Sequence, residues 1–141
     1  MATQSQLVER LASVPMFSGC SKRELQAVAK TIRQIDHPAG TVIATEGEPG
    51  AGLFVIEEGD ADVTIGGKRV NQLHAGDFFG EMALLDGGPR TATVTATTDI
   101  KLWALTEWVF RGLLVEHPTI ALRTLEAMAS RLRNATQTGS R

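Results

Sequence analysis

Phe78-Phe79-Gly80-Glu81-Met82-Ala83-Leu84-Leu85-Asp86-Gly87-Gly88-Pro89-Arg90-Thr91-Ala92-Thr93-Val94 is the stretch from which the rest of the chain can be read. A glycine and a carboxylate open it at a helix start. One apolar turn follows, Met82-Ala83-Leu84-Leu85, and Gly87-Gly88-Pro89 breaks it. The chain then delivers Arg90 and Thr91 at the mouth of an alternating strand. The first amides of a short helix have no partner inside the helix, so they offer N–H groups to an anion. An arginine brought beside them by a tight turn adds a fixed cation whose planar fork suits phosphate. Glu81 would repel a phosphate but can accept from sugar hydroxyls on the same ligand. A sugar acceptor beside a phosphate cation describes a nucleotide site.

Phe79-Gly80-Glu81-Met82-Ala83-Leu84 followed by Pro89-Arg90-Thr91-Ala92-Thr93-Val94 resembles the phosphate-binding cassette of cyclic nucleotide-binding domains, over residues 78–94. Such modules occur in cyclic-nucleotide-dependent kinases, gated channels and catabolite-activator-type regulators, and the similarity extends over nearly the whole chain. The resemblance implies a ligand-binding set of Gly80, Glu81, Met82, Ala83, Arg90, Thr91 and Ala92. It implies that Arg90 pairs with the equatorial oxygens of a cyclic phosphate and that Glu81, with the Gly80 amide, holds the ribose 2′-hydroxyl. Ala83 and Thr91 would give backbone donors. Thr91 permits cGMP without demanding it: its hydroxyl can reach a syn guanine, yet cAMP-responsive relatives also carry Thr or Ser there.

Composition sets the bounds. A chain of 141 residues fits one domain, residues 1–141, with room for a core. With 14 basic and 16 acidic residues, a net charge of −2, it lacks the basic field that holds nucleic acid. Cys20 is the sole cysteine and reads as a packing thiol in a reducing compartment. No apolar run approaches the ~20 residues of a membrane span, and no secretory signal is visible at the start. These features predict a cytoplasmic protein without a membrane segment.

Upstream of the cassette, Leu7, Val8, Leu11 and Val14 recur at helical spacing over residues 3–14, and Pro15 ends the run. Ser21 and Glu24 are spaced as a capping box for a second helix, whose face carries Leu25, Val28, Ala29 and Ile32. The N-terminal helices are expected over residues 1–36. From 41 to 105 the pattern turns β-rich, and 11 of the 14 glycines fall between Gly40 and Gly88. Thr41 to Ala44, Leu53 to Ile56, Ala61 to Ile65, Lys68 to Leu73, Thr91 to Thr97 and Ile100 to Leu105 read as strands, with Gly66-Gly67 as a hairpin turn. Short strands with glycine turns predict a mainly β roll with flanking helices. The resemblance implies eight strands, a jelly roll with a short cassette helix inside it.

Two C-terminal helices are expected over residues 106–136. Thr106 stands at an N-cap position, and Trp108, Val109, Leu113 and Leu114 form an apolar face; Trp103 and Trp108 are both expected in or near the core. Leu122, Leu125, Ala129 and Leu132 line the last helix, and residues beyond Asn134 read as a frayed tail. Leu122, Leu125 and Met128 are candidates to cover the ligand's base. The same stripe could instead form a homodimer seam, or simply pack on the roll.

His37, His74 and His117 lack metal or triad spacing, and no catalytic constellation is visible. The expectation is a non-enzymatic sensor for a cyclic nucleotide, cAMP ahead of cGMP, with no metal and no catalytic cofactor. It would act on an unidentified protein effector. Three rival readings are the ligand-binding part of a catabolite-activator-type transcription factor, a cupin-like barrel enzyme, and a degenerate module that binds nothing.

Overall fold

The computed structural model describes residues 3–49, 52–80 and 88–139. Among these residues are eight strands in two antiparallel four-stranded sheets and four α-helices. The chain divides into two compact units, Thr31–Arg111 and, from both ends, Met1–Lys30 with Gly112–Arg141.

The first unit is the β-roll. Its strands are β1 (Arg33–His37), β2 (Val42–Ala44), β3 (Gly52–Glu58), β4 (Ala61–Ile65), β5 (Lys68–Leu73), β6 (Phe78–Phe79), β7 (Thr93–Ala96) and β8 (Ile100–Thr106). One sheet runs β1-β8-β3-β6 and the other β2-β7-β4-β5. The apolar run Leu53-Phe54-Val55-Ile56 makes the first part of β3 largely buried, between β8 and β6. Ile56, Phe79, Val94, Ala96, Ile100 and Leu102 pack together with Ala44, Ala61 and Leu73 as the core, drawing on both sheets. Between β4 and β5, Gly66 and Gly67 take φ of 59° and 81°. Two successive positive φ values are what a two-residue type I′ hairpin requires, and they set the Ile65↔Lys68 register.

The roll begins earlier than the sequence pattern marks it, at Arg33 and not at residue 41. The second helix stops at Ala29 with Lys30 as its C-cap, and residues 33–36, expected within the helical part, pair together with His37 to β8, from Arg33↔Ala104 to His37↔Ile100. β1 is an edge strand, mostly exposed and polar, so it has almost no period-two signal. Its conformation comes from its neighbour.

The second unit is helical. α1 (Gln4–Ala12) and α2 (Lys22–Ala29) each open on a full capping box, Thr3 with Gln6 and Ser21 with Glu24. In the second, the Ser21 N–H donates to Glu24 at 2.8 Å and the Glu24 N–H donates to the Ser21 hydroxyl at 3.1 Å. A 3₁₀ turn, Pro15–Phe17, carries the buried anchors Met16 and Phe17. α3 (Glu107–Glu116) crosses the boundary between the units, and α4 (Pro118–Gly139) follows. α4 continues through the segment expected to fray.

Within this unit His117 Nδ1 lies 3.0 Å from Glu24 Oε2, and Arg123 donates through Nε to the Ser18 carbonyl at 3.2 Å. The Glu24 carboxyl is held below its ordinary pKa, first by the Ser21 backbone N–H and then, against some desolvation, by His117. Burial, and next the charge of Glu24, push the Cys20 thiol up, which favours an inert packing thiol.

The tryptophans differ. Trp103 on β8 is buried, whereas Trp108 is 87% exposed. α3 turns Phe110 and Leu113 inward. Trp108 is two residues before Phe110, about 200° away around the helix, so it faces out.

Candidate functional site

The site is assembled inside the roll unit, where β3, β6 and the segment before β7 meet. Phe54 and Phe79 are cross-strand partners on β3 and β6. Their rings stack with centroids 5.2 Å apart and planes at 25°. The Arg90 guanidinium lies over the Phe54 ring, 5.8 Å from its centroid. Nη2 of Arg90 donates to the Gly52 carbonyl at 3.3 Å.

Backbone pairing fixes Arg90 at its root. Its N–H donates to the Glu48 carbonyl at 2.8 Å, and its carbonyl accepts from Gly47 N–H at 2.9 Å. Pro49 and Pro89 form a bridge alongside. The Thr93 hydroxyl accepts from the Glu46 N–H at 3.0 Å, which ties the same two segments once more. Neither segment is a long strand; residues 89–90 are pinned to the turn that carries Gly47, and the arginine leaves from the join.

Gly80 closes the site from the other side. Its φ is +94°, a region that L side chains rarely adopt. A Cβ there would sit 2.6 Å from the Gly52 carbonyl oxygen and 2.7 Å from Arg90 Nη1. Backbone conformation and space therefore both require glycine. Gly80 and Arg90, ten residues apart in the sequence, thus lie beside one another.

The electrostatics follow from this packing. Arg90 is half-buried, and burial lowers its pKa. Among the described residues its partners are a carbonyl and a ring, not a carboxylate. A partly desolvated cation attracts an anion more strongly than a surface arginine does. Thr91 is exposed at a bend and Ala92 is half-buried beside it. Glu81, Met82 and Ala83, and with them the expected cassette helix, lie outside the described residues.

Leu122, Leu125 and Met128 belong to the helical unit. Leu122 and Leu125 are exposed on α4, Leu125 at 62%, and Met128 is half-buried. Gly52 and Phe54 were not singled out from sequence. Phe54 reads there as one more β-strand aromatic, and only the cross-strand register reveals its contact with Arg90. Among the described residues no group of three or more His, Cys, Asp or Glu converges to hold a metal, and no helix is long and apolar enough to cross a membrane.

Comparison with known proteins gives the same direction. A family model described as "Cyclic nucleotide-binding domain" matches residues 34–117. The chain is 39% identical over 106 residues to a cAMP-dependent protein kinase regulatory subunit of Aspergillus niger, covering 74% of this chain and 26% of that protein. Among solved structures, the regulatory domain of Toxoplasma gondii PKA with cAMP is similar at a TM-score of 0.79 and 30% identity, over 89% of this chain and 50% of that one. The Thermus thermophilus catabolite activator protein matches at a TM-score of 0.80 and 29% identity, over 89% and 62%. The chain thus spans about a quarter of the Aspergillus protein's length.

Proposed function

The chain belongs to the cyclic nucleotide-binding domain family, and from that premise we propose that it is a sensor module that binds cAMP and changes conformation on doing so. The observation that carries this reading is Arg90: half-buried, fixed at its backbone, laid over Phe54, and without a carboxylate partner among the described residues. A cyclic phosphate with one negative charge completes that cation. Gly80, which has no side chain, lets the guanidinium and the Gly52 carbonyl come together beside it.

Around this contact the proposed roles follow the family resemblance. Glu81 accepts from the ribose 2′-hydroxyl, Ala83 and Thr91 donate backbone N–H groups to the phosphate, and Met82 and Ala92 complete the cassette. Leu122, Leu125 and Met128 cover the base. Ligand affinity then biases two packings of the chain, and the bias is the signal. Its recipient is a protein partner, the site of action is the cytoplasm, and the module performs no catalysis. The name of the Aspergillus relative, a kinase regulatory subunit, and the cAMP in the Toxoplasma structure favour cAMP over cGMP. The spacing of Leu122, Leu125 and Leu132, all exposed on α4, also fits a homodimer seam.

Calorimetric titration of the chain with cAMP, cGMP and 5′-AMP tests the proposal. Tight binding of cAMP, weaker binding of cGMP and little response to 5′-AMP are expected. A folded protein that binds neither cyclic nucleotide would be a degenerate module, and the proposal would fall. Thr91→Ala should weaken cGMP more than cAMP; equal loss of both would reduce Thr91 to packing.

A further inference from the structure

We infer that Phe54 is a positioning residue for Arg90: its ring, stacked with Phe79, and the Gly52 carbonyl hold the guanidinium ready before any anion arrives. The inference rests on the reading of Arg90 as the phosphate-binding cation. Four observations, all within the roll unit, lead to it.

The guanidinium carbon is 5.8 Å from the Phe54 centroid, inside the roughly 6 Å reach of a cation–π contact. Phe54 is itself held by the 5.2 Å stack with Phe79 and by the Phe54↔Phe79 register of β3 and β6. The Gly52 carbonyl, two residues earlier on β3, takes one N–H of the fork at 3.3 Å. The Arg90 backbone is anchored in both directions, to Glu48 and Gly47. The root of the side chain and its tip are thus each held by different elements, and only the intervening methylenes remain to be ordered.

The arrangement has a consequence for affinity. An arginine side chain carries about 2 kcal/mol of rotamer entropy, which binding must otherwise suppress. A ring and one carbonyl restrict the guanidinium without neutralising it, whereas a carboxylate would compete with the ligand. An aromatic face is therefore a better rest for an anion-binding arginine than an ion pair. Phe54 orders the charge and leaves it available, and the ordering cost falls on folding instead of binding.

Phe54 also packs against the core of the roll, so loss of affinity on its replacement would not by itself separate positioning from packing. The test is a double-mutant cycle on the full chain, with cAMP as the titrant. Phe54→Leu should weaken binding about three- to tenfold, from the usual range of a cation–π contact, and Phe54→Tyr should restore it. In an Arg90→Ala background Phe54→Leu should have no further effect, because the charge it positions is gone. The same fold loss in both backgrounds would overturn the inference.

Fluorinated phenylalanines at position 54 keep the ring's shape and weaken its negative face, so they remain informative if Phe54→Leu does not fold. A stepwise fall in affinity is expected, and a flat series would overturn the inference. The Nε–Hε resonance of Arg90 in ligand-free protein, identified by its absence in Arg90→Ala, separates this inference from the proposed function. It should be ring-current shifted, and should move toward that of a free arginine in Phe54→Leu. If wild-type protein binds no cyclic nucleotide, the proposed function fails, and this resonance alone decides whether Phe54 positions Arg90. An unshifted resonance rejects the positioning role.

Discussion

Arg90 in the roll and Arg123 on α4 are two half-buried arginines, each donating to a backbone carbonyl, and they differ in what completes them. Arg123 donates to Ser18 O and pairs with Glu126 at 2.8 Å. Arg90 donates to Gly52 O and lies over Phe54. The first is satisfied within its own unit and holds the 3₁₀ segment to the last helix. The second has no carboxylate partner among the described residues, and burial lowers its pKa. The ring contact leaves the guanidinium's charge where the proposed phosphate would meet it.

Substitutions should split the two arginines cleanly. The largest effect is expected for Arg90→Ala. Removing one member of a buried charged pair costs about 2–5 kcal/mol of binding, tens to thousands in cAMP affinity. Thermal unfolding should change by no more than about 1 kcal/mol, since the lost contacts are one long hydrogen bond and one ring contact. An Arg90→Ala protein that unfolds early would make Arg90 another Arg123.

Gly80→Ala should come next. The backbone strain at φ +94° costs about 1–3 kcal/mol in stability. The new methyl also lands on the guanidinium, so calorimetric affinity should fall with the melting temperature. A loss of stability with unchanged affinity would mean that Arg90 can yield without consequence.

Arg123→Ala should do the opposite of Arg90→Ala. Loss of its hydrogen bonds should lower stability by about 1 kcal/mol in denaturant unfolding, and cAMP affinity should stay within a few-fold. A loss of affinity matching that of Arg90→Ala would erase the contrast between the two.

The smallest effect is a pH dependence in the roll. His74 Nδ1 lies 2.7 Å from Asp60 Oδ1, and the His74 N–H donates to Asp77 Oδ2 at 2.8 Å. The Asp60 hydrogen bond raises the imidazole's pKa against a smaller desolvation, with Asp60 and Asp77 charges adding to the rise. A raised folded value means that this stabilisation is complete below the ordinary imidazole pKa of about 6.5 and is lost as pH rises through the folded value. Melting temperature measured from pH 5.5 to 8 should therefore decline slightly more in wild-type protein than in His74→Gln. The pair is largely exposed, so the difference should be small. Parallel curves would leave Asp60 without an electrostatic role.

Much of this was legible in the chain. The capping box at Ser21 and Glu24, the Gly66-Gly67 hairpin, and strands β4 and β5 lie where local pattern places them, because each is fixed by residues within a few positions of one another. Thr106 caps α3 as its position suggested, accepting from the Val109 N–H at 3.3 Å. β1 was misread because an exposed edge strand takes its hydrogen bonds, and hence its conformation, from a partner 60 or more residues away. Trp108 was misplaced because composition tells that a tryptophan prefers burial, while the helix phase, set by Phe110 and Leu113, decides which way it points.

The sequence by itself determined the β-rich punctuation, the resemblance to a nucleotide-binding cassette, and the glycine at position 80. Those depend on residue type and short spacing: a positive φ, as at Gly80, selects glycine. Tertiary structure decided what Arg90 rests against. Gly52 and Phe54 reach it only because β3 pairs with β6 and residues 47–48 pair with Arg90. Such long-range pairings are selected by the burial of two whole sheets, and no local window of sequence contains that free energy.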